Sequence, residues 1–131
     1  MGEPIKVLLV DDEPDFTRPL AFWLKSKGYQ PQEVTTGEQA LKIIKESAPD
    51  IIFLDINMPG MDGLATLQKL REFNKDVPVV IVSAYVDDPR ARQANDYGVA
   101  GMFYKGDDLA EGLTLLETVL RTHKKLKDRL T

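Results

Sequence analysis

Asp55 closes the apolar run Ile51-Ile52-Phe53-Leu54, and Asp11 and Asp12 close an earlier one from Ile5 to Val10. Residues at the carboxyl ends of parallel strands face the crevice where ligands bind in open sheets. Carboxylates brought together there repel one another, so the cluster needs a cation or a shared proton. Ser83 ends the run Val77–Val82, and Lys105 ends another that starts at Ala100. The set becomes three carboxylates, a hydroxyl and an ammonium. Hard oxygen ligands suit Mg²⁺, which often bridges carboxylate to phosphate. The ammonium and the hydroxyl suit phosphate oxygens. A carboxylate can itself accept a phosphoryl group as an acyl phosphate. A metal ion and a lysine that neutralise the transferring group supply most of what such chemistry asks of a protein.

These residues meet only if the strands that carry them lie side by side. Apolar runs alternate with helical patterns along the whole chain. Ile5–Val10, Tyr29–Thr35, Ile51–Asp55, Val77–Val82 and Ala100–Lys105 read as strands. Between them, Phe16, Leu20, Trp23 and Leu24 share a helical face that Gly28 stops. Thr36 with Gln39 forms a capping box ahead of Ala40, Leu41, Ile43 and Ile44. Asp62 caps a helix carrying Leu64, Leu67 and Leu70. Asp88-Pro89 reads as an N-cap and an N1 proline. Asp108 with Glu111 starts a helix with Leu109, Leu113, Leu116 and Leu120 inward. Five βα units imply an α/β fold: a doubly wound five-stranded parallel sheet with helices on both faces. Pro31 cannot donate to a central ladder, so its strand lies at an edge. That favours the order 2-1-3-4-5, in which the first and third strands are neighbours. Asp11, Asp12 and Asp55 then converge.

The 131 residues suit one domain, with its core from about 5 to 120 and its last helix running on to about 130. A formal net charge of −4 argues against direct nucleic-acid binding. The absence of cysteine removes thiolate chemistry and fits a reducing, cytoplasmic setting. Neither a signal peptide nor an apolar stretch near the roughly 20 residues of a membrane span is visible.

The motifs Val10-Asp11-Asp12-Glu13-Pro14, Leu54-Asp55-Ile56-Asn57-Met58-Pro59-Gly60-Met61-Asp62-Gly63, Ser83-Ala84 and Lys105 resemble those of the response-regulator receiver domains of two-component signalling. The resemblance runs from Lys6 to about Leu120. It implies a phosphoacceptor signalling module that catalyses only its own phosphorylation and dephosphorylation, without turning over an external substrate. Asp55 would receive the phosphoryl group from a histidine kinase or phosphotransfer protein. Asp11, Asp12, Asp55 and the Asn57 backbone carbonyl would hold Mg²⁺, and Ser83 and Lys105 would bind the phosphoryl group. Two positions depart from the pattern. Met102 stands where receivers usually carry a switching Tyr or Phe, and Gly106 where a proline usually follows the lysine. Tyr104 shares the strand face of Met102 and is a candidate substitute for the missing aromatic.

Simpler readings stand beside these. Asp11 and Asp12 could be favourable charges ahead of a helix, Ser83 a cap, and Lys105 a guard on an edge strand. Met58, Met61 and Met102 read as packing. The basic run Arg121, His123, Lys124, Lys125, Lys127 and Arg129 complements a helix dipole. Leu115, Val119, Leu126 and Leu130 form a second stripe, either a homodimer seam or the start of a linker to an output domain. A phosphohydrolase of the haloacid-dehalogenase type would want an acid two residues after Asp55, where Asn57 cannot shuttle a proton. A flavodoxin-like carrier would need a phosphate cradle where Asp11-Asp12-Glu13 repels one. A receiver used as a phosphorylation-independent scaffold would not need the full five-residue set.

Overall fold

The structure, a computed structural model, describes residues 3–123. The elements in chain order are β1 (Lys6–Val10), α1 (Pro14–Ser26), β2 (Gln30–Val34), α2 (Gly37–Glu46), β3 (Ile51–Asp55), α3 (Gly63–Phe73), β4 (Val79–Ser83), α4 (Pro89–Ala94), β5 (Gly101–Tyr104) and α5 (Leu109–Thr122). A 3₁₀ turn, Asn95–Tyr97, follows α4. The strands form one parallel sheet in the order β2-β1-β3-β4-β5. This is the expected doubly wound fold.

β3 and β4 are buried at every position, and β1 at all but its first residue. Unbroken apolar runs of this kind belong to strands covered on both faces. Successive side chains serve opposite layers. Leu8, Val10, Ile52, Leu54 and Ile81 pack with α2, α3 and α4 through Ala40, Ile44, Leu67, Leu70 and Ala91. Val7, Leu9, Phe53, Val80, Val82 and Phe103 pack with α1 and α5 through Leu20, Leu24, Leu116 and Leu120. β2, with Pro31, is the edge strand anticipated from its composition.

The helix starts follow local capping chemistry. Thr36, Asp62, Asp88 and Asp108 each accept a backbone N–H of the turn they open. The Gln39 side chain accepts the N–H of Thr35 at 3.0 Å, one residue ahead of the N-cap. At the opposite end of the sheet Arg71 ties several segments together. Its guanidinium donates to the carbonyls of Val77 (2.8 Å), Asn74 (3.2 Å), Tyr97 (2.8 Å) and Gly98 (2.7 Å).

Several expectations need correction. β4 begins at Val79 rather than Val77, and β2 and β5 are each shorter than their apolar runs. Trp23 is only half-buried, and Thr17 takes a core place on α1 instead. Met102 is 44% exposed, so it does not pack, while Met58 does. Val119 of the second α5 stripe is buried and Leu115 packs against the same core. Those two residues serve the core, Val119 fully and Leu115 in part. α5 ends at Thr122, with His123 extended as its C-cap. Leu126, Leu130, the basic run from Lys124 onward and the expected helical extension to about 130 lie outside the described residues.

Candidate functional site at the carboxyl edge

Four strand ends build the site. β1 stops at Val10, and the Asp11 N–H donates to the Val34 carbonyl at 3.0 Å. Asp11 Oδ1 accepts the Glu13 N–H at 2.9 Å, which turns the chain into α1. Asp55 is the last residue of β3, and its Oδ1 accepts the Asn57 N–H at 2.9 Å in an equivalent turn. The Lys105 N–H donates to the Ser83 carbonyl at 2.8 Å, which carries the β4–β5 pairing one residue past Tyr104. Gly63, first in α3, lies hard against this turn. A Cβ on it would stand 2.1 Å from the Asp55 carbonyl oxygen and 2.6 Å from Ile56 Cα. The turn and the helix start meet backbone to backbone, which only glycine permits.

The Lys105 ammonium sits at the centre. It donates to Asp11 Oδ1 at 3.1 Å, lies 3.4 Å from Asp55 Oδ2 and pairs closely with Glu13. Its Nζ also stands 5.0 Å from the centre of the Phe16 ring, within cation–π range. Asp11 and Asp55 are buried, whereas Asp12 and Glu13 are exposed. Burial pushes Asp11 up to about 6, with the Asp55 charge adding to it and the Lys105 hydrogen bond opposing it. Burial also pulls Lys105 down, but its bonds to Glu13 and Asp11 and the charge of Asp55 outweigh it, and the ammonium is held more firmly than usual.

The donor set fits a hard cation. Asp11, Asp12, Glu13 and Asp55 each bring a carboxylate oxygen within 4.8 Å of the others. Asp11 Oδ2 is buried and lies 2.9 Å from Nζ, yet it accepts no hydrogen bond of good geometry. An orphaned carboxylate oxygen in an acidic cluster is the coordination an oxygen-seeking cation completes.

The remaining candidates are arranged differently. Ser83 is buried, and its hydroxyl donates to the Tyr85 carbonyl at 2.8 Å while accepting the Tyr85 N–H at 3.1 Å. The hydroxyl is therefore spent on its own turn. Asn57 bridges two loops: its Nδ2 donates to Asp88 Oδ2 at 2.7 Å, and its Oδ1 accepts the Ala84 N–H at 3.3 Å. Met102 is exposed at the sheet edge. Tyr104 is half-buried, with its ring over Gly106, where a Cβ would fall 2.3 Å from Cε2. Sequence reasoning missed Glu13 and Phe16 as partners of Lys105, and it saw Asp88 only as a cap. The position of Phe16 one turn into α1 was the available signal.

A parallel five-stranded sheet whose first, third, fourth and fifth strands end in this set defines a class. Residues 7–119 match the family model described as the response regulator receiver domain, and the chain belongs to that family. The chain is 37% identical over 125 residues to the transcriptional regulatory protein PrrA of Mycobacterium tuberculosis, covering 95% of this chain and 51% of that protein. It is 31% identical over 106 residues to sporulation initiation phosphotransferase F of Bacillus subtilis, covering 81% and 86%. The receiver domain of NtrX from Brucella abortus superposes with a TM-score of 0.82 at 30% identity, over 88% of this chain and 98% of that one. The chemotaxis protein CheY4 of Vibrio cholerae gives 0.81 at 26% identity, over 88% and 98%. The chain spans about half the length of the transcriptional regulators that it matches. Receivers of this family are signalling modules of two-component systems, generally with an acidic Mg²⁺ pocket. No helix among the described residues is long and apolar enough to cross a membrane.

Proposed function

We propose that Asp55 accepts a phosphoryl group from a histidine kinase or phosphotransfer protein, and that the added charge changes how the domain engages a partner, an output domain or a second copy. One observation carries this reading: a buried carboxylate at a strand end, with the Lys105 ammonium 3.4 Å away and Asp11 on the same ammonium. Asp55 Oδ1 is occupied by the Asn57 N–H, which leaves Oδ2 to attack phosphorus. The P–N bond of the donor breaks, its electron pair returns to the imidazole, and an acyl phosphate forms. Mg²⁺, held by Asp11, Asp12, Asp55 and the Asn57 carbonyl, would supply charge neutralisation. Lys105 then has to exchange a carboxylate for a phosphoryl oxygen. Ser83 has to give up the Tyr85 carbonyl before its hydroxyl can donate to the same group. The acyl phosphate carries about −1.5 to −2 charges where the carboxylate carried one, and it places three acceptor oxygens beside Lys105 and Ser83, which is the force for both moves.

With Met102 exposed, Tyr104 is the aromatic that would report the change on the β5 face. Tyr104→Ala should abolish phosphorylation-dependent partner binding while leaving phosphorylation intact; unchanged binding would remove Tyr104 from this role. The primary test is thermal unfolding with Mg²⁺ and beryllofluoride, a phosphoryl mimic. A ligand bound by the native state alone raises the melting temperature. The rise should be chelator-sensitive and absent in Asp55→Ala. No rise in wild type, or an equal rise in the variant, would sink the assignment.

A further inference from the structure

Asp88 does more than a helix cap requires. A capping carboxylate needs one oxygen and ordinarily stands at the surface. Asp88 is 7% exposed and uses both oxygens. Oδ1 accepts the Arg90 N–H at 2.9 Å and so caps α4. Oδ2 accepts the Asn57 side-chain amide at 2.7 Å. Asn57 in turn donates its backbone N–H to Asp55 and accepts the Ala84 N–H with its side-chain oxygen. Arg90 closes the network through a 3.2 Å ion pair with Asp62, the N-cap of α3. One residue, Asn57, therefore touches the Asp55 turn by its backbone N–H, the residue after Ser83 by its side-chain oxygen and the start of α4 by its side-chain amide nitrogen.

Ser83 is turned onto Tyr85, and the loop that carries both is tied to Asn57 at Ala84 and at Asp88. A Ser83 hydroxyl that turned toward a group on Asp55 would have to leave Tyr85. The same loop is held a few residues on by the Asn57–Asp88 bond.

We propose that Asp88 is a positioning residue whose hydrogen bond to Asn57 latches the first turn of α4 in the unmodified arrangement, and that occupation of Asp55 has to break this latch. The proposal rests on the phosphoacceptor reading of Asp55. A ligand that selects the unlatched state binds more weakly by the factor needed to populate it. Removing the latch should therefore tighten the binding of a phosphoryl mimic, by about fivefold for a hydrogen bond of ordinary strength.

Asp88→Ser separates the two functions, because serine still caps a helix but lacks a second oxygen for Asn57. Asn57→Ala removes the other half and keeps the backbone groups. Calorimetric titration with Mg²⁺ and beryllofluoride should give about fivefold tighter binding for each single variant and no further gain in the double variant, as expected of two halves of one contact. Unchanged or weaker binding in Asp88→Ser would overturn the latch. So would a gain that persists undiminished in the Asn57→Ala background, since it would then come from the cap alone. If wild type failed to bind beryllofluoride, the phosphoacceptor reading would fall instead. The bridge itself would then be judged by hydrogen exchange at the Ala91 and Arg92 amides, both bonded to the Asp88 carbonyl. Asn57→Ala must speed that exchange if the bridge holds α4; an unchanged rate would remove it.

Discussion

The ring of Tyr104 occupies the space that a side chain at position 106 would need, with Cε2 only 2.3 Å from the ideal Cβ of Gly106. One departure from the receiver pattern, Gly106, is thus physically linked to Tyr104: the aromatic directly before the lysine goes with a residue after it that has no side chain. Gly106→Ala should lower stability by about 1–3 kcal/mol in urea unfolding, the usual cost of overpacking. The same substitution in Tyr104→Ala should cost nearly nothing. Equal costs in both backgrounds would show that the ring and the glycine are independent.

Gly63 gives a harder case. Its absent Cβ would collide with the main chain of Asp55 and Ile56 rather than with a movable ring. Gly63→Ala should therefore destabilise the domain more than Gly106→Ala does, and it should also weaken Mg²⁺-beryllofluoride binding by displacing the Asp55 turn. A variant of wild-type stability and affinity would contradict the close backbone approach.

Lys105 is the ammonium paired with the Asp11, Glu13 and Asp55 carboxylates. Lys105→Met leaves Asp11 and Asp55 buried beside Glu13 without their ammonium. In metal-free buffer the loss should be on the order of 2 kcal/mol, less than for a sealed ion pair because Glu13 stays in water. Added Mg²⁺ replaces the missing charge, so its effect on the melting temperature should be larger in the variant than in wild type. A smaller effect would mean that the lysine and the metal do not share these carboxylates.

The strand ends and the sheet order were legible because β1, β3 and β4 are buried on both faces, which demands unbroken apolar runs and makes the acidic residues that stop them conspicuous. Asp11, Asp12, Asp55 and Ser83 stand at or just past those strand ends, whereas Lys105 follows β5, a partly exposed edge strand whose run is less distinctive. What escaped depends on how side chains meet across long sequence separations. Glu13 and Phe16 reach Lys105 only after β5 is laid down beside β4. Asp88 meets Asn57 from another loop, and a capping residue gives no hint that its second oxygen is taken. Val119 looked like part of a separate stripe because α5 is covered over a wider arc than one narrow face.

Acidity supplies a further prediction. Asp11 is pushed up from its ordinary 3.8 to about 6, chiefly by burial. The folded, metal-free protein therefore holds a proton that the unfolded chain releases between about pH 4 and pH 6. This group's contribution to stability falls as pH rises through that window. If Asp11 is a Mg²⁺ ligand as proposed, the ion has to displace the same proton, so its apparent affinity should drop as pH is lowered from 7 to 5, approaching roughly tenfold per unit below 6. Titrations at both pH values check this, and a constant affinity would exclude Asp11 from the metal's ligands.

Arg71 fixes the carbonyls of Tyr97 and Gly98 to the end of α3 and to the approach to β4. The far end of the α4 segment is thereby bolted to the body of the domain, while its near end hangs on the Asn57 amide. Were the Asn57 contact to break, a segment held in this way would pivot about its Arg71 end. Its travel would then be smallest at Gly98 and larger toward Tyr85 and Val86, which are 65% and 78% exposed. A change at Asp55 would thus be felt where apolar side chains already stand in solvent.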